Sequence, residues 1–355
     1  FGNNRQRAGR FPGNSKAEAG NKNRLGKKEE KEIIMKKAKK GHRTDRLLVF
    51  SGTSNLNLAK EIVKHAGVEL ADAFVGKFPE GEIRVKINDN VRGADVFVIQ
   101  STCMPTNDNL MELLVMIDAL KRASAGRITA VVPFYGYARQ DRKDQPRVPI
   151  TAKLVANILT TAGADRILTM DLHADQIQGF FDIPVDHLLA APVFIDYFRN
   201  MVEKDNFVIA ASDIGGVKRE WYFAEKLNTP IAIVDKKRSG PESVEAMHII
   251  GDVKGKNVII PDDMLATGGT LVQAAKFLKA KGAKKIYACM THGIFSGQAV
   301  EKINDSEILE VVVSNTIPQA EREKVKKIKV LSVGKLFGEA IKRIHDEQTI
   351  SELFR

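Results

Sequence analysis

The stretch VIIPDDMLATGGTL, Val258 to Leu271, decides how this chain is read. Val258, Ile259 and Ile260 form a short apolar run of the kind that fills a buried strand. The run ends at Asp262-Asp263, which puts two carboxylates at the carboxyl edge of a parallel sheet, where open α/β folds bind ligands. Two adjacent acids there can accept hydrogen bonds from a cis-diol. Thr267, Gly268, Gly269 and Thr270 then open a helix. Glycines at that point let backbone N–H groups turn toward an anion, and the helix dipole favours negative charge. A solvated turn with a Thr cap is the bland alternative, but the order strand, acidic pair, TGGT favours a phosphate cradle beside a diol binder.

The surrounding sequence repeats this plan. From Arg46 onward, apolar runs of strand length alternate with segments of helical period, which predicts an α/β protein with a mainly parallel sheet. Val96 to Gln100 reads as a strand, followed by a polar loop to Asn109, a helix carrying Leu110, Leu113, Leu114 and Ile117, then Ala125-Gly126 and a strand from Ile128 to Val132. The segment from Val258 gives the same series: a loop to Gly269, a helix with Leu271, Ala274, Ala275 and Leu278, then Gly282-Ala283 and a strand from Ile286 to Cys289. The chain therefore reads as a duplication, with units expected over 44–190 and 191–355. The first copy's loop, Ser101 to Asp108, has neither acidic pair nor double glycine, so the sugar-phosphate chemistry belongs to the second.

With 355 residues, 43% of them hydrophobic, the chain can build two cores of roughly 150 residues each. Two cysteines, Cys103 and Cys289, are too few for a disulfide framework and fit a reducing cytosol. No apolar run is long enough to span a bilayer and no secretory signal is visible, so a soluble, cytoplasmic protein is expected. The formal charge of +11 is concentrated in residues 1–43, which hold 14 Lys/Arg against 4 Glu and leave 41 basic and 40 acidic residues for the rest. A nearly neutral body has no bulk positive field for a nucleic-acid backbone. The basic tail is too polar to offset its ordering entropy and is expected to be disordered. It reads as a solvated extension, with an RNA-binding arm or a targeting remnant as the rival readings. A first residue of Phe rather than Met reads as a fragment or a processed chain.

Other segments carry chemistry at strand ends. No GxxxxGK[ST] string occurs, so a nucleotide would be held by another arrangement. Tyr137-Ala138-Arg139-Gln140-Asp141-Arg142 follows the strand ending at Val132 and puts Arg139 at a sheet edge, able to meet a polyphosphate or stack on a base. His173, between Asp171 and Asp175, follows a strand over Ile167 to Met170 and reaches the same edge. Asp235-Lys236-Lys237-Arg238 follows a strand over Ile231 to Val234. In extended chain Lys236 and Arg238 point one way and could close over a reacting phosphate. His65, His187, His248 and His292 read as packing or surface residues.

These segments together resemble the ribose-phosphate pyrophosphokinase family. The resemblance runs from about Leu47 to Phe354 and includes FSGTSN from Phe50, the segment from Ile99 to Val131, YARQDRK from Tyr137, DLHADQIQGFFDIPVD from Asp171, SDIGGVKR from Ser212 and IIGDVKGK from Ile249. It implies two tandem phosphoribosyltransferase-like (Rossmann-like) domains and transfer of the diphosphoryl group of ATP to ribose 5-phosphate, with Mg²⁺ as cofactor. By resemblance, Phe78, Glu80, Gly81 and Glu82, from the loop of a neighbouring subunit, bind ATP together with Arg139, Gln140 and His173. His173 and Asp213 are Mg²⁺-associated positions. Lys236 and Arg238 are the catalytic pair, and Arg238, Asp262, Asp263, Ala266, Thr267, Gly268, Gly269 and Thr270 bind ribose 5-phosphate. Arg92 and Arg147 match positions of a regulatory anion site, and a homo-oligomer, often a hexamer, is implied. The chain departs from the family at Ala266, where a second acid is common, at Pro261, and in Ser239 to Ser243, which lacks the usual Pro-Arg continuation. A phosphoribosyltransferase and a non-catalytic regulatory homologue are the alternative functions.

Overall fold

The computed structural model describes residues 46–211, 217–237, 246–319 and 325–354. The tail, 1–43, expected to be disordered, lies outside them. The chain runs through β1 (Leu47–Ser51), α1 (Leu56–Ala66), β2 (Ala73–Lys77), β3 (Ile83–Ile87), β4 (Asp95–Ile99), α2 (Thr106–Arg122), β5 (Arg127–Val132), α3 (Thr151–Ala162), β6 (Arg166–Met170) and β7 (Val185–Leu188). It continues through α4 (Ala191–Val202), β8 (Phe207–Ala211), α5 (Val217–Leu227), β9 (Ile231–Lys237), β10 (Ala246–Ile250), β11 (Asn257–Leu265), α6 (Gly269–Ala280), β12 (Ile286–Gly293), α7 (Ala299–Asn304), β13 (Ile308–Ser314), β14 (Ile328–Leu331) and α8 (Gly334–His345).

The expected α/β architecture is present as two sheets. One is five-stranded, in the order β1-β4-β5-β6-β7, and wholly parallel. The other is seven-stranded, in the order β10-β9-β8-β11-β12-β13-β14, parallel except where β9 meets β10. Strands β2 and β3 form a separate antiparallel hairpin. In the second sheet the chain order reverses between β8 and β11, which makes a crevice beyond their carboxyl ends.

The period-two alternation of the strands sorts their side chains between layers. Phe97 and Ile99 of β4 join Ile259 of β11 and Cys289 of β12 in one shared cluster, which α1, α4, α5 and α8 fill with Ile62, Phe194, Phe223 and Phe337. Val96 and Val98 face the other way, onto Leu113 and Ile117 of α2. Val258 and Ile260 likewise face Leu271, Ala275 and Leu278 of α6. Helix α1 shows how sequence sets these elements: Asn55 caps its start by accepting from Leu58 N at 3.3 Å, and Gly67 ends it at φ 75°. Its partner α8 approaches very closely at Gly338, where a Cβ would stand 2.7 Å from the Ile62 carbonyl oxygen and from the His65 Cβ.

The two repeat units take the same form, β4-α2-β5 and β11-α6-β12, but the second corrects the sequence reading in one respect. Strand β11 does not end at the acidic pair; it runs on through Asp262 and Asp263 to Leu265, paired with β12 as far as Gly293. Pairing with a neighbour overrides the poor intrinsic strand preference of Asp. Strand β9 also continues past Val234 to Lys237, because β10 pairs with it antiparallel. Among the described residues no helix is long and apolar enough to cross a membrane.

Candidate active site

The acidic pair anchors a cavity of about 1060 Å³ lined by both halves of the chain. Asp262 and Asp263 enter from β11, Arg139, Gln140, Asp141 and Arg142 from the turn after β5, His173 and Asp175 from the turn after β6, and Lys218 and Arg219 from the start of α5. The order of strands explains the meeting: α5 follows β8, the neighbour of β11, so its first turn opens over the reversal point.

Within the cavity the charges are paired in a chain. His173 Nδ1 donates to Asp263 Oδ2 at 2.7 Å. Arg219 Nη1 donates to Asp262 Oδ1 at 3.2 Å and lies 3.8 Å from Asp263 Oδ1. Asp262 Oδ1 also accepts the backbone N–H of Asp263 at 2.8 Å. Burial raises the pKa of Asp262, and the adjoining Asp263 raises it further, to about 7 despite Arg219. Burial acts the same way on Asp263, but the hydrogen bond from His173 and the Arg219 charge outweigh it, so Asp263 falls well below the usual carboxylate range. The same bond raises the pKa of His173 against its partial burial. The result is a dissimilar pair: an Asp263 kept ionised beside His173 and Arg219, and an Asp262 that ionises less readily.

The glycine segment sits at the end of the same strand. Gly268, at φ 73°, is the left-handed residue from which α6 starts, and no side chain caps that start. The first N–H groups of α6 are thus without helical partners, as an anion cradle requires. Thr267 and Thr270 are exposed and Gly268 is buried. The carbonyl of Ala266 accepts Ser296 N at 3.0 Å, which fixes the turn against the loop after β12.

A second cavity, about 570 Å³, shares Arg139 and Gln140 and is walled by Phe134, Tyr135, Tyr137, Met264 and Ile294. Gln140 is tied to Thr151 by a side-chain hydrogen bond, while Arg139 is exposed between the two cavities. Phe78, Glu80, Gly81 and Glu82 form the tip between β2 and β3 and line neither cavity. Arg84 covers the Phe78 ring at 5.3 Å.

The structure therefore gathers Arg139, Gln140, His173, Asp262 and Asp263, with the Thr267 to Thr270 turn adjoining. The assignments of Asp213 and Arg238, of the loop Ser239 to Ser243, and of the side chain of Lys236 lie outside the described residues. Sequence reasoning missed Arg219; the one signal was its place as the last residue of SDIGGVKR. It also treated His173 and Asp263 as belonging to different substrates, whereas they are hydrogen-bonded. His187 and His292 are each hydrogen-bonded inside the fold: His187 Nε2 accepts Leu172 N at 2.9 Å, and burial lowers the pKa of both.

Comparison with known proteins covers most of the chain. Residues 47–163 match the N-terminal domain of ribose phosphate pyrophosphokinase, and residues 237–355 match the phosphoribosyl synthetase-associated domain. A ribose-phosphate pyrophosphokinase of Caldanaerobacter subterraneus is 58% identical over 311 residues, 88% of this chain and 98% of that protein. One of Clostridium tetani is 55% identical over 315 residues, again 88% and 98%. The crystal structure of phosphoribosylpyrophosphate synthetase from Mycobacterium smegmatis superposes with a TM-score of 0.81 at 41% identity, covering 85% of this chain and 100% of that one.

Proposed function

The chain belongs to the ribose-phosphate pyrophosphokinase family, and from that membership we propose that it transfers the diphosphoryl group of ATP to the C1 hydroxyl of ribose 5-phosphate. The products are AMP and 5-phosphoribosyl 1-diphosphate, a precursor for nucleotide biosynthesis. One observation carries the reading beyond the family name: Arg139 and Gln140, the proposed nucleotide contacts, line the same cavity as the acidic pair.

Asp262 and Asp263 accept the ribose hydroxyls, and the α6 start, with Thr267, Gly268, Gly269 and Thr270, takes the 5-phosphate. Ala266 offers only backbone there. Arg139 and Gln140 hold the nucleotide, and His173, oriented by its bond to Asp263, borders the phosphates. Lys236 and Arg238 stabilise charge on the transferred group, so catalysis is chiefly positioning and electrostatic. The C1 hydroxyl oxygen bonds to the β-phosphorus as the bond to the α-β bridging oxygen breaks; AMP departs with that oxygen and the hydroxyl proton passes to solvent.

Magnesium takes oxygen ligands and keeps several waters beside substrate phosphates. Among the described residues no group of three or more His, Cys, Asp or Glu side chains converges as a metal cage. This donor set fits an ion held mainly by ATP oxygens and water, with His173 at its border and Asp213 as the further proposed position. When bound, Mg²⁺ would neutralise phosphate charge.

We take 44–190 and 191–355 as the two units, because each sheet draws its strands from one of those ranges. A cytoplasmic homo-oligomer, a hexamer by family likeness, is proposed. Its support is the 78–82 tip, which lines neither of the two described cavities and could reach a neighbour's. Incubation with ribose 5-phosphate, ATP, Mg²⁺ and phosphate should yield AMP and 5-phosphoribosyl 1-diphosphate in equal amounts. Absence of AMP would remove the reading, and diphosphate release that depends on an added nucleobase would point to a phosphoribosyltransferase instead.

A further inference from the structure

Two residues at the end of β12, outside the proposed substrate contacts, hold the turn that carries His173. Thr291 Oγ1 donates to Asp171 Oδ2 at 2.6 Å, and the same oxygen accepts Ala190 N at 2.9 Å. His292 Nε2 lies 3.2 Å from the Met170 carbonyl oxygen and 3.1 Å from that of Asp171. Both partners can only accept, so Nε2 carries the proton. Nδ1 is then bare and accepts the Thr316 hydroxyl at 3.0 Å, while the Ser314 hydroxyl donates to the Thr291 carbonyl at 2.6 Å. Asp171, Thr291, His292, Ser314 and Thr316 are all buried. The Phe134 ring packs edge-on to His292 at 5.0 Å.

These bonds join the two sheets. Met170 ends β6 of the five-stranded sheet, and Thr291 and His292 belong to β12 of the seven-stranded one. Asp171 itself stands at φ 37°, a left-handed conformation that a non-glycine residue keeps only where its surroundings fix it. Two residues further on, His173 reaches across to Asp263.

We propose that Thr291 and His292 are positioning residues for the diphosphoryl-transfer reaction: they lock the Asp171 turn of one sheet against the other and so set His173 within reach of Asp263. This inference rests on the reaction proposed above, but the geometry it describes is separately measurable. A polar cluster that only stabilised the sheet contact would alter unfolding without moving His173.

The test uses the full chain. Thr291→Val keeps the shape and removes the donor, whereas Thr291→Ser keeps the donor. Turnover of Thr291→Val is expected to fall about 10-fold, with a raised KM for Mg-ATP, as for a misplaced binding group, while Thr291→Ser stays near wild type. The ring-nitrogen NMR signals of His173, identified by their loss in His173→Gln, are expected to shift in Thr291→Val and not in Thr291→Ser. Where Thr291→Val does not fold, His292→Gln, which keeps an N–H near Nε2, is compared with His292→Asn, which does not. The first should retain the wild-type signal and the second lose it. Unmoved His173 signals with wild-type kinetics in Thr291→Val, or equal damage in the two members of a pair, would overturn the proposal. A wild-type chain that makes no AMP would sink the reaction but leave the NMR comparison to decide the clamp.

Discussion

Arg219 shows what a single side chain contributes at this site. It is the cation that stands against both members of the acidic pair, at 3.2 Å from Asp262 and 3.8 Å from Asp263. Without it, Asp262 would be pushed further up, since burial and the adjoining carboxylate already raise it. Arg219→Met is expected to raise the KM for ribose 5-phosphate and lower kcat/KM by about 10- to 100-fold, the value of a hydrogen bond to a charged group. Steady-state kinetics with ribose 5-phosphate varied would check this, and an unchanged KM would count against Arg219 as organiser of the diol site. Lys236→Ala should behave in the opposite sense. Its loss is expected to lower kcat by about 10² to 10³ with little change in KM, as for removal of a donor used in the transition state. Near-normal turnover there would refute its catalytic role.

Among the elements, α1 and α8 depend on each other. Their backbones meet at Gly338, where a side chain would collide with the Ile62 carbonyl. Gly338→Val is therefore expected to force the helices apart and cost about 1–3 kcal/mol, the range for overpacking a core. A urea midpoint equal to wild type would show that the contact can yield. Much of this layer of organisation was legible in the sequence. Apolar runs of strand length placed β4, β5, β11 and β12, and Leu271, Ala274, Ala275 and Leu278 named the buried face of α6. The strand ends were not legible, because Asp262 and Asp263 disfavour a strand by themselves and only β12 draws β11 onward to Leu265. The bond between His173 and Asp263 links residues from separate sheets, 90 positions apart, and no local spacing encodes it. Arg219 was hidden for the same reason: an Arg on a helix reads as a solvated charge until the strand beside it is known.

Across the whole molecule, helix α8 is tied to the five-stranded sheet by a largely buried charge cluster. Asp95 of β4, 1% exposed, accepts Arg127 Nε at 2.8 Å and His345 Nδ1 at 2.8 Å, and Arg127 Nη2 also donates to the Ile344 carbonyl at 3.2 Å. The C-terminal helix is thereby fixed to the first sheet. Arg127→Met would leave Asp95 buried with His345 alone, at a cost on the order of 3 kcal/mol, as for breaking a buried ion pair. Denaturant unfolding measures that cost directly, and a loss under about 1 kcal/mol would mean that His345 suffices. Charge is distributed just as unevenly along the chain. Residues 1–43 hold 14 of the 55 Lys and Arg. Removing them should leave kcat and both KM values unchanged, because the described site draws on none of them. A changed KM for ATP would bring the tail into the reaction.

The seating of α8 on α1 also has a consequence for synthesis. Helix α8 emerges from the ribosome long after α1 and β4, yet Phe337, Ala340 and Ile341 complete the cluster that covers Ile62 and Phe97. The first-made half thus waits with an open apolar flank, a hazard for nascent chains. A chain truncated before Gly334 would lose the cover for residues it had already made.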